Sequence, residues 1–362
     1  MAVSRINEAG LDVNQYGNRN LVINGAMKVA QRGTSTTTSG SYQIDRFSAD
    51  NAGGTVTYEQ VSLSSSDTPY SSGFRNAAKL TNTSAGSTAT TDYRRFMYRV
   101  EGQDMAGSGW NYTSSSSSIT LSFWVKSSLA GTYSVSFHAL DGTAQAYSFD
   151  YTLVADTWKK ITHTLPGDSN LTFDNDTGQS FRISIWPYIG TNFTTSGHTD
   201  EAWAAYDGSS QTGDYAQNWA STASATFFVT GVQFEVGNTA TDFEHRTFAD
   251  ELARCQRYTF VHETGVAYGW SALSGYCNTT SNALAFYQFP VKMRAAPSLT
   301  VSGDFQILDG FTSYSVTNNS LGMGTVFNAR VDVSASGLTA GRHIATRNNN
   351  DADAKVIFDA EL

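Results

Sequence analysis

Apolar and polar residues alternate along most of this chain. In the segment 119–125, Ile119, Leu121, Phe123 and Val125 fall on one side and Thr120, Ser122 and Trp124 on the other. That period of two is the mark of a half-buried strand. The segment 131–140 repeats it, with Tyr133, Val135 and Phe137 opposite Ser134, Ser136 and His138. Asp141-Gly142 supplies a hairpin-type turn, after which Tyr147, Phe149, Tyr151 and Leu153 share a face. Segments 55–63, 159–165, 181–186 and 227–236 continue the series, and Leu21, Ile23 and Met27 are spaced to anchor one more strand near the start. The stretch 32–41 reads as a polar loop. This many short strands separated by polar turns predicts an all-β chain built on a β-sandwich of jelly-roll type. No strand alternates with a helical pattern, which argues against a parallel sheet.

One segment departs from the rule. Residues 247–258 (TFADELARCQRY) are good helix formers, with Thr247 placed as an N-cap and Asp250 and Glu251 in the first turn. Phe248, Leu252 and Cys255 fall at i, i+4 and i+7, one face of a helix. Beyond it, strands are predicted at 283–289, 298–301, 312–316, 327–333 and 356–358, separated at 303–304, 318–319 and 348–351. The organisation expected is a first strand within 1–35, a jelly-roll domain over 36–246, a connecting helix over 247–258 and a smaller β-sandwich over 259–362. A length of 362 residues suits two such domains at roughly 100–200 residues each.

Composition changes the picture in one respect: it removes charge. Charged residues make up 15% of the chain, against about 25% in ordinary globular proteins, while Ser and Thr supply about a quarter. Net charge is -9, from 23 basic and 32 acidic residues. A nonspecific nucleic-acid binder needs a basic surface to displace counterions, and an anionic membrane surface asks for the same, so neither partner is expected. No apolar run reaches the roughly 20 residues of a membrane-spanning helix. The first 24 residues carry Arg5, Glu8, Asp12 and Arg19 and no apolar core, unlike a secretory leader. Cys255 and Cys277 are too few for a disulfide framework and read as small buried hydrophobes.

Signatures of catalysis are missing. There is no Gly-x-Ser-x-Gly elbow, HExxH or P-loop, and the six histidines include no pair at i, i+4 that would suggest a metal site. The chain is read as no enzyme and as carrying no cofactor. Asp174-Asn-Asp176-Thr-Gly178 offers oxygens of the kind Ca²⁺ takes, but without the downstream spacing of an EF-hand, and an Asx turn explains it equally. Glycosidase carboxylates pair in space and not in sequence, so polysaccharide cleavage stays as a third reading.

Aromatic residues give the candidate sites. Trp186, Tyr188, Trp203, Tyr206, Tyr215 and Trp219 lie in or beside a stretch of some forty residues, between Pro187 and Ala225, that has no periodicity and is otherwise Gly, Ser, Thr, Asn and Asp. Loops of that length in compact domains are usually functional or disordered. Flat rings accept the apolar faces of sugars, while Ser, Gly and Asn offer adaptable hydrogen bonds. Tyr268, Trp270 and Tyr276 form a second candidate group in the turn-rich stretch 265–276. Packing within a sandwich or along a subunit seam accounts for either group as well. A surface rich in Ser and Thr and poor in Lys suits a neutral polysaccharide better than an anionic one.

Three sets of residues resemble a known family. Residues 20–33 (NLVINGAMKVAQRG) with 42–47 (YQIDRF), then 231–237 (GVQFEVG), 240–246 (ATDFEHR) and 251–258 (ELARCQRY), and finally 293–297 (MRAAP) with the closing 359–362 (DAEL), resemble bacteriophage tail-fibre and receptor-binding proteins. The resemblance implies a jelly roll like those of carbohydrate-binding modules, a small C-terminal β domain and a homotrimer on the virion tail. It implies docking to other tail or adaptor proteins through residues 1–35 and attachment to a bacterial surface glycan. Only about twenty residues precede the first motif, which also fits a tip subunit or a decoration protein with no receptor contact. The polar motif residues Asp45, Arg46, Gln233, Glu235, Arg246, Arg254 and Arg257 read as ion pairs and hydrogen bonds that fix the two domains, and not as a site.

Overall fold

The computed structural model describes residues 18–86, 88–215, 218–310 and 312–362, and the chain divides into two units, one ending at Thr247 and the other beginning at Phe248. The alternating segments of the first unit fold into two antiparallel sheets. One sheet runs in the order Ser35–Thr36, Val56–Ser62, Asn76–Asn82, Thr226–Val236, Ser118–Ser127, Lys159–Pro166. The other runs Ala204–Ala205, Gln145–Leu153, Gly131–Ala139, Gln179–Ile189, Tyr93–Glu101, Phe47–Ala52, Ser41–Ile44. Their inner faces share one core. Leu121, Phe123, Phe227 and Phe234 from the first sheet meet Val135, Phe137, Phe181 and Ile183 from the second. The rings of Phe181 and Phe234 stack at 5.5 Å, and those of Phe137 and Phe234 at 6.2 Å. Each such side chain removed from water contributes roughly 1.5–3 kcal/mol. The result is a jelly-roll sandwich.

The strand expected around Leu21, Ile23 and Met27 is absent. Asn24 and Met27 adopt left-handed backbone (φ 61° and 55°), so the segment turns instead of extending. Val22 and Met27 are nonetheless fully buried. Asparagine side chains replace the missing ladder: Asn24 Nδ2 donates to the carbonyls of Val29 and Asp45, and Asn20 Oδ1 accepts the amides of Val22 and Phe234. The polar motif residues hold this segment in place. Gln233 Nε2 donates to Glu235 Oε1, Glu235 pairs with Arg19 at 3.3 Å, Gln31 binds Asp45, and Arg246 donates to the carbonyls of Asn20 and Val22. These bonds hold the segment beginning at Asn18 within its own unit, where the sequence predicts that the same residues fix the two domains. The attachment expected of residues 1–17 lies outside the described residues. The predicted loop at 32–41 carries the two-residue strand Ser35–Thr36.

The second unit opens with the helix Phe248–Gln256, on which Glu251 and Cys255 are buried while Phe248 stands exposed, so the predicted stripe is only partly used. Two antiparallel sheets follow. One has the order Thr259–Glu263, Lys355–Asp359, Ser298–Ser302; the other has Ser313–Ser315, Phe305–Leu308, His343–Asn348, Trp270–Cys277, Asn282–Gln288, Asn328–Ser334, Asn318–Gly324. Phe289, Met293, Val331 and Phe358 are among the side chains of its core. The break expected at 318–319 is instead the start of Asn318–Gly324, an edge strand whose side chains are half-buried or exposed, so it needs no apolar alternation. Cys255 and Cys277 are both reduced and buried.

Candidate functional site

The long segment after Ile189 does not present its aromatic residues as a platform. Among the described residues it carries the short strand Ala204–Ala205 and one bridge between Thr194 and Thr212. Trp186, Tyr188 and Trp219 are buried, at 2%, 7% and 0% exposure, so these three rings have no face open to a ligand and their expected place in a site is corrected, whereas Trp203, Tyr206 and Tyr215 are half-buried. Trp186 donates its indole N–H to Ser136 Oγ at 2.9 Å, and Trp219 donates to the Thr226 carbonyl at 3.2 Å. Trp203 is half-buried, with its indole N–H on the Pro166 carbonyl and its ring 5.3 Å from that of Tyr147. Tyr206 stacks on His138 at 3.8 Å, and burial pushes the phenol of Tyr215 well up. Asn82, fully buried, donates to the carbonyls of Ala220 and Thr222. The aromatics pin the segment to its own sandwich, because rings with a polar tip gain from burial once that tip finds an acceptor. In the turn at 174–178, Asp176 Oδ1 accepts the Gly178 amide, and among the described residues no group of three His, Cys, Asp or Glu could hold a metal ion.

The His138–Tyr206 contact has a pH signature. Burial, then the charges of Arg182 and Arg95, lower the His138 imidazole from its ordinary 6.5 to about 4. Between those values the unfolded chain binds a proton that the folded chain refuses, so stability falls as pH drops from 6.5 towards 4. Calorimetric melting temperatures of the native chain should decline more steeply across that window than those of H138Q. Parallel profiles would contradict this account.

The second aromatic group is open. Tyr268, Trp270 and Tyr276 are 47%, 49% and 40% exposed, and Phe286 joins them at 44%. The register explains why. Residues directly opposite on antiparallel strands point to the same side. Trp270 opposes Arg347, Tyr276 opposes both His343 and Leu284, and Phe286 opposes Arg330, which places all of them on the outer face of the seven-stranded sheet. Ala283, Ala285 and Tyr287 turn inward to the core. The rings of Tyr276 and Phe286 lie 6.4 Å apart at 29°. Beside them a groove of about 470 Å³ is lined by Ser274, Phe286, Gln288, Met323, Asn328 and Arg330. Asp332 holds the Arg330 guanidinium at 2.8 Å.

The other end of this face is built with equal care. Tyr268 has left-handed backbone (φ 58°), rare for a bulky residue. Its amide donates to Oδ1 of the buried Asn348, whose Nδ2 donates to Thr264 Oγ1 and the Val266 carbonyl. The turn is thus fixed from beneath, and such strained positions cluster at ligand clamps. The Arg347 guanidinium stands 4.9 Å over the Tyr268 ring and donates to Gln306 Oε1. The face therefore offers half-exposed rings, a guanidinium, and amide and hydroxyl groups, the chemistry that grips a polyhydroxylated ring from its apolar side and its edge. The sequence reading named Tyr268, Trp270 and Tyr276 but missed Phe286, Met323, Arg330 and Arg347. The alternation of Asn282–Gln288 carried that signal, since inward Ala283, Ala285 and Tyr287 leave Phe286 outward.

No family model and no curated protein matches this sequence. Solved structures similar to it include the N-terminal cellulose-binding domain of Cellulomonas fimi β-1,4-glucanase C, at 9% identity and TM-score 0.29 over 59% of this chain and 99% of that one. They also include a family 16 carbohydrate-binding module, at 11% identity and TM-score 0.22 over 44% and 76% of the two chains. A cyclase from Fischerella sp. is similar at 9% identity and TM-score 0.33, over 60% of this chain and 95% of that one.

Proposed function

We propose that this chain is a non-enzymatic attachment protein that binds a bacterial surface glycan through the outer face of the second unit's seven-stranded sheet. The observation that carries the reading is the exposure of Tyr268, Trp270, Tyr276 and Phe286 on one face, beside the polar groups of Gln288, Arg347 and Ser274. Rings of this kind supply large contact area at small entropic loss. The resemblance of residues 20–33, 231–237, 240–246 and 251–258 to tail-fibre proteins supports reading the chain as part of a virion tail appendage, as a homotrimer docked on other tail proteins. Three weak sites acting together would raise overall binding without any single tight contact.

Binding of the purified chain to intact host cells should be lost when their glycans are oxidised with periodate. It should fall at least tenfold in W270A and in Y276A, with the melting temperature of each variant near that of the native chain. Light scattering should return about three chain masses for all three proteins. Cell binding indifferent to periodate and to both substitutions would sink the glycan reading. A fall in mass for W270A or Y276A would instead make the rings a subunit seam, as in a purely structural component of the virion.

A further inference from the structure

The outer face of the first unit's seven-stranded sheet gathers positive charge in a chain of net charge -9. Arg182 lies directly opposite Arg99 on one neighbouring strand and opposite His138 on the other, and Arg95 projects from the same side as Arg99. Like charges directly opposite each other destabilise a sheet. Only part of this charge is answered. Asp50 pairs with Arg95 at 2.7 Å, whereas Arg99 binds the Tyr42 hydroxyl and Ser48 Oγ, and Arg182 donates to His138 Nδ1 at 2.8 Å. Among the described residues neither Arg99 nor Arg182 forms an ion pair. Arg95 Nε, Arg182 Nε and His138 Nε2 are buried without a hydrogen-bond partner. Burial, then Arg95 and Arg99, lower the Arg182 guanidinium to about 10, against the Tyr206 phenol that hydrogen-bonds it and raises it. Ser48, Ser136 and Ser184, with Met97, are buried between the long side chains, and Arg95 and Arg99 lie over the rings of Trp186 and Tyr42 respectively.

From this geometry we propose that Arg95, Arg99 and Arg182 form a second binding site, for the oxyanion of an acidic saccharide. A carboxylate, sulfate or phosphate group would supply the countercharge that Arg99 and Arg182 lack, and the fixed guanidinium fork matches such planar or tetrahedral oxygens. A run of nucleic-acid phosphates would meet repulsion from the rest of an acidic chain. This site departs from the neutral ligand that composition suggested, and it belongs to the first unit, whereas the aromatic face belongs to the second.

The test uses the full chain and four probes: a galacturonate oligosaccharide, a sulfated oligosaccharide, a neutral oligosaccharide of equal length, and inorganic phosphate. At least one acidic oligosaccharide should raise the melting temperature and give a measurable Kd, while the neutral one does neither. Which acidic probe acts identifies the oxyanion. R182Q and R99Q should each weaken that Kd at least tenfold, and their ligand-free melting temperatures should equal or exceed the native value as like-charge repulsion is relieved. W270A should respond to the acidic probe as the native chain does, so failure of this site and failure of the aromatic face are distinguishable. Equal response to neutral and acidic probes, an unchanged Kd in both arginine variants, or single-stranded DNA binding more tightly than any saccharide would each overturn the proposal. A ligand-free melting temperature lowered in both variants would do so too, marking the arginines as structural.

Discussion

Replacing Gly25 with alanine is expected to destabilise the first unit by roughly 3 kcal/mol or more, at or above the upper end of what an inserted methyl usually costs. A Cβ at this position would lie 2.0 Å from the Val232 carbonyl oxygen and 3.1 Å from its carbon. Both are backbone atoms, so no side chain can rotate away. Neither strand nor turn is free to move. Gly25 O accepts the Val232 amide at 2.9 Å, and Gly231 beside it is already in left-handed backbone (φ 63°) with the Phe74 ring against its Cα. The bonds from Asn20 and Arg246 clamp the same segment on either side. Denaturant unfolding followed by tryptophan fluorescence measures the loss. A change below about 1 kcal/mol would mean that the turn can lift off the last strand, contrary to the packing described.

Trp219→Ala should cost about 3–5 kcal/mol, the range for deleting a large buried ring. The ring is fully buried in the sandwich core, and its indole N–H is satisfied by the Thr226 carbonyl. Deletion leaves a cavity and an acceptor without its donor. The carbonyl of the same residue and those of Ala220 and Thr222 accept from Asn82, so the loop end would loosen with the core. Binding to host cells, normalised to folded protein, should be unchanged. Loss of binding without loss of stability would return this ring to the surface and to the role its sequence neighbourhood suggested.

The difference between Trp219 and Trp270 shows where sequence reading runs out. Both sit among Gly, Ser, Thr and Asn, and composition cannot separate a ring that pins a loop from one that faces solvent. Only the register of Trp270 against Arg347 does so. Strands with clean alternation, such as Ser118–Ser127 and Gly131–Ala139, were legible to within two residues. Tyr93–Glu101 was not, because Arg94, Arg95 and Arg99 mask the inward series of Phe96, Tyr98 and Val100. Missing that strand hid the arginine row as well, since three arginines become neighbours of His138 and Asp50 only once strands are paired. The turn at Asn24 was unreadable for another reason: amide side chains there do the work of a neighbouring strand, and alternation carries no trace of that.

Both thiols of the chain, Cys255 and Cys277, belong to the second unit and are buried there, while the described part of the first unit holds none. Their alkylation is therefore a clock set into one half of the molecule. It runs only when the helix Phe248–Gln256 or the strand Trp270–Cys277 opens around its thiol. The chain thus carries, unaltered, the means to time the breathing of the unit that bears its aromatic face.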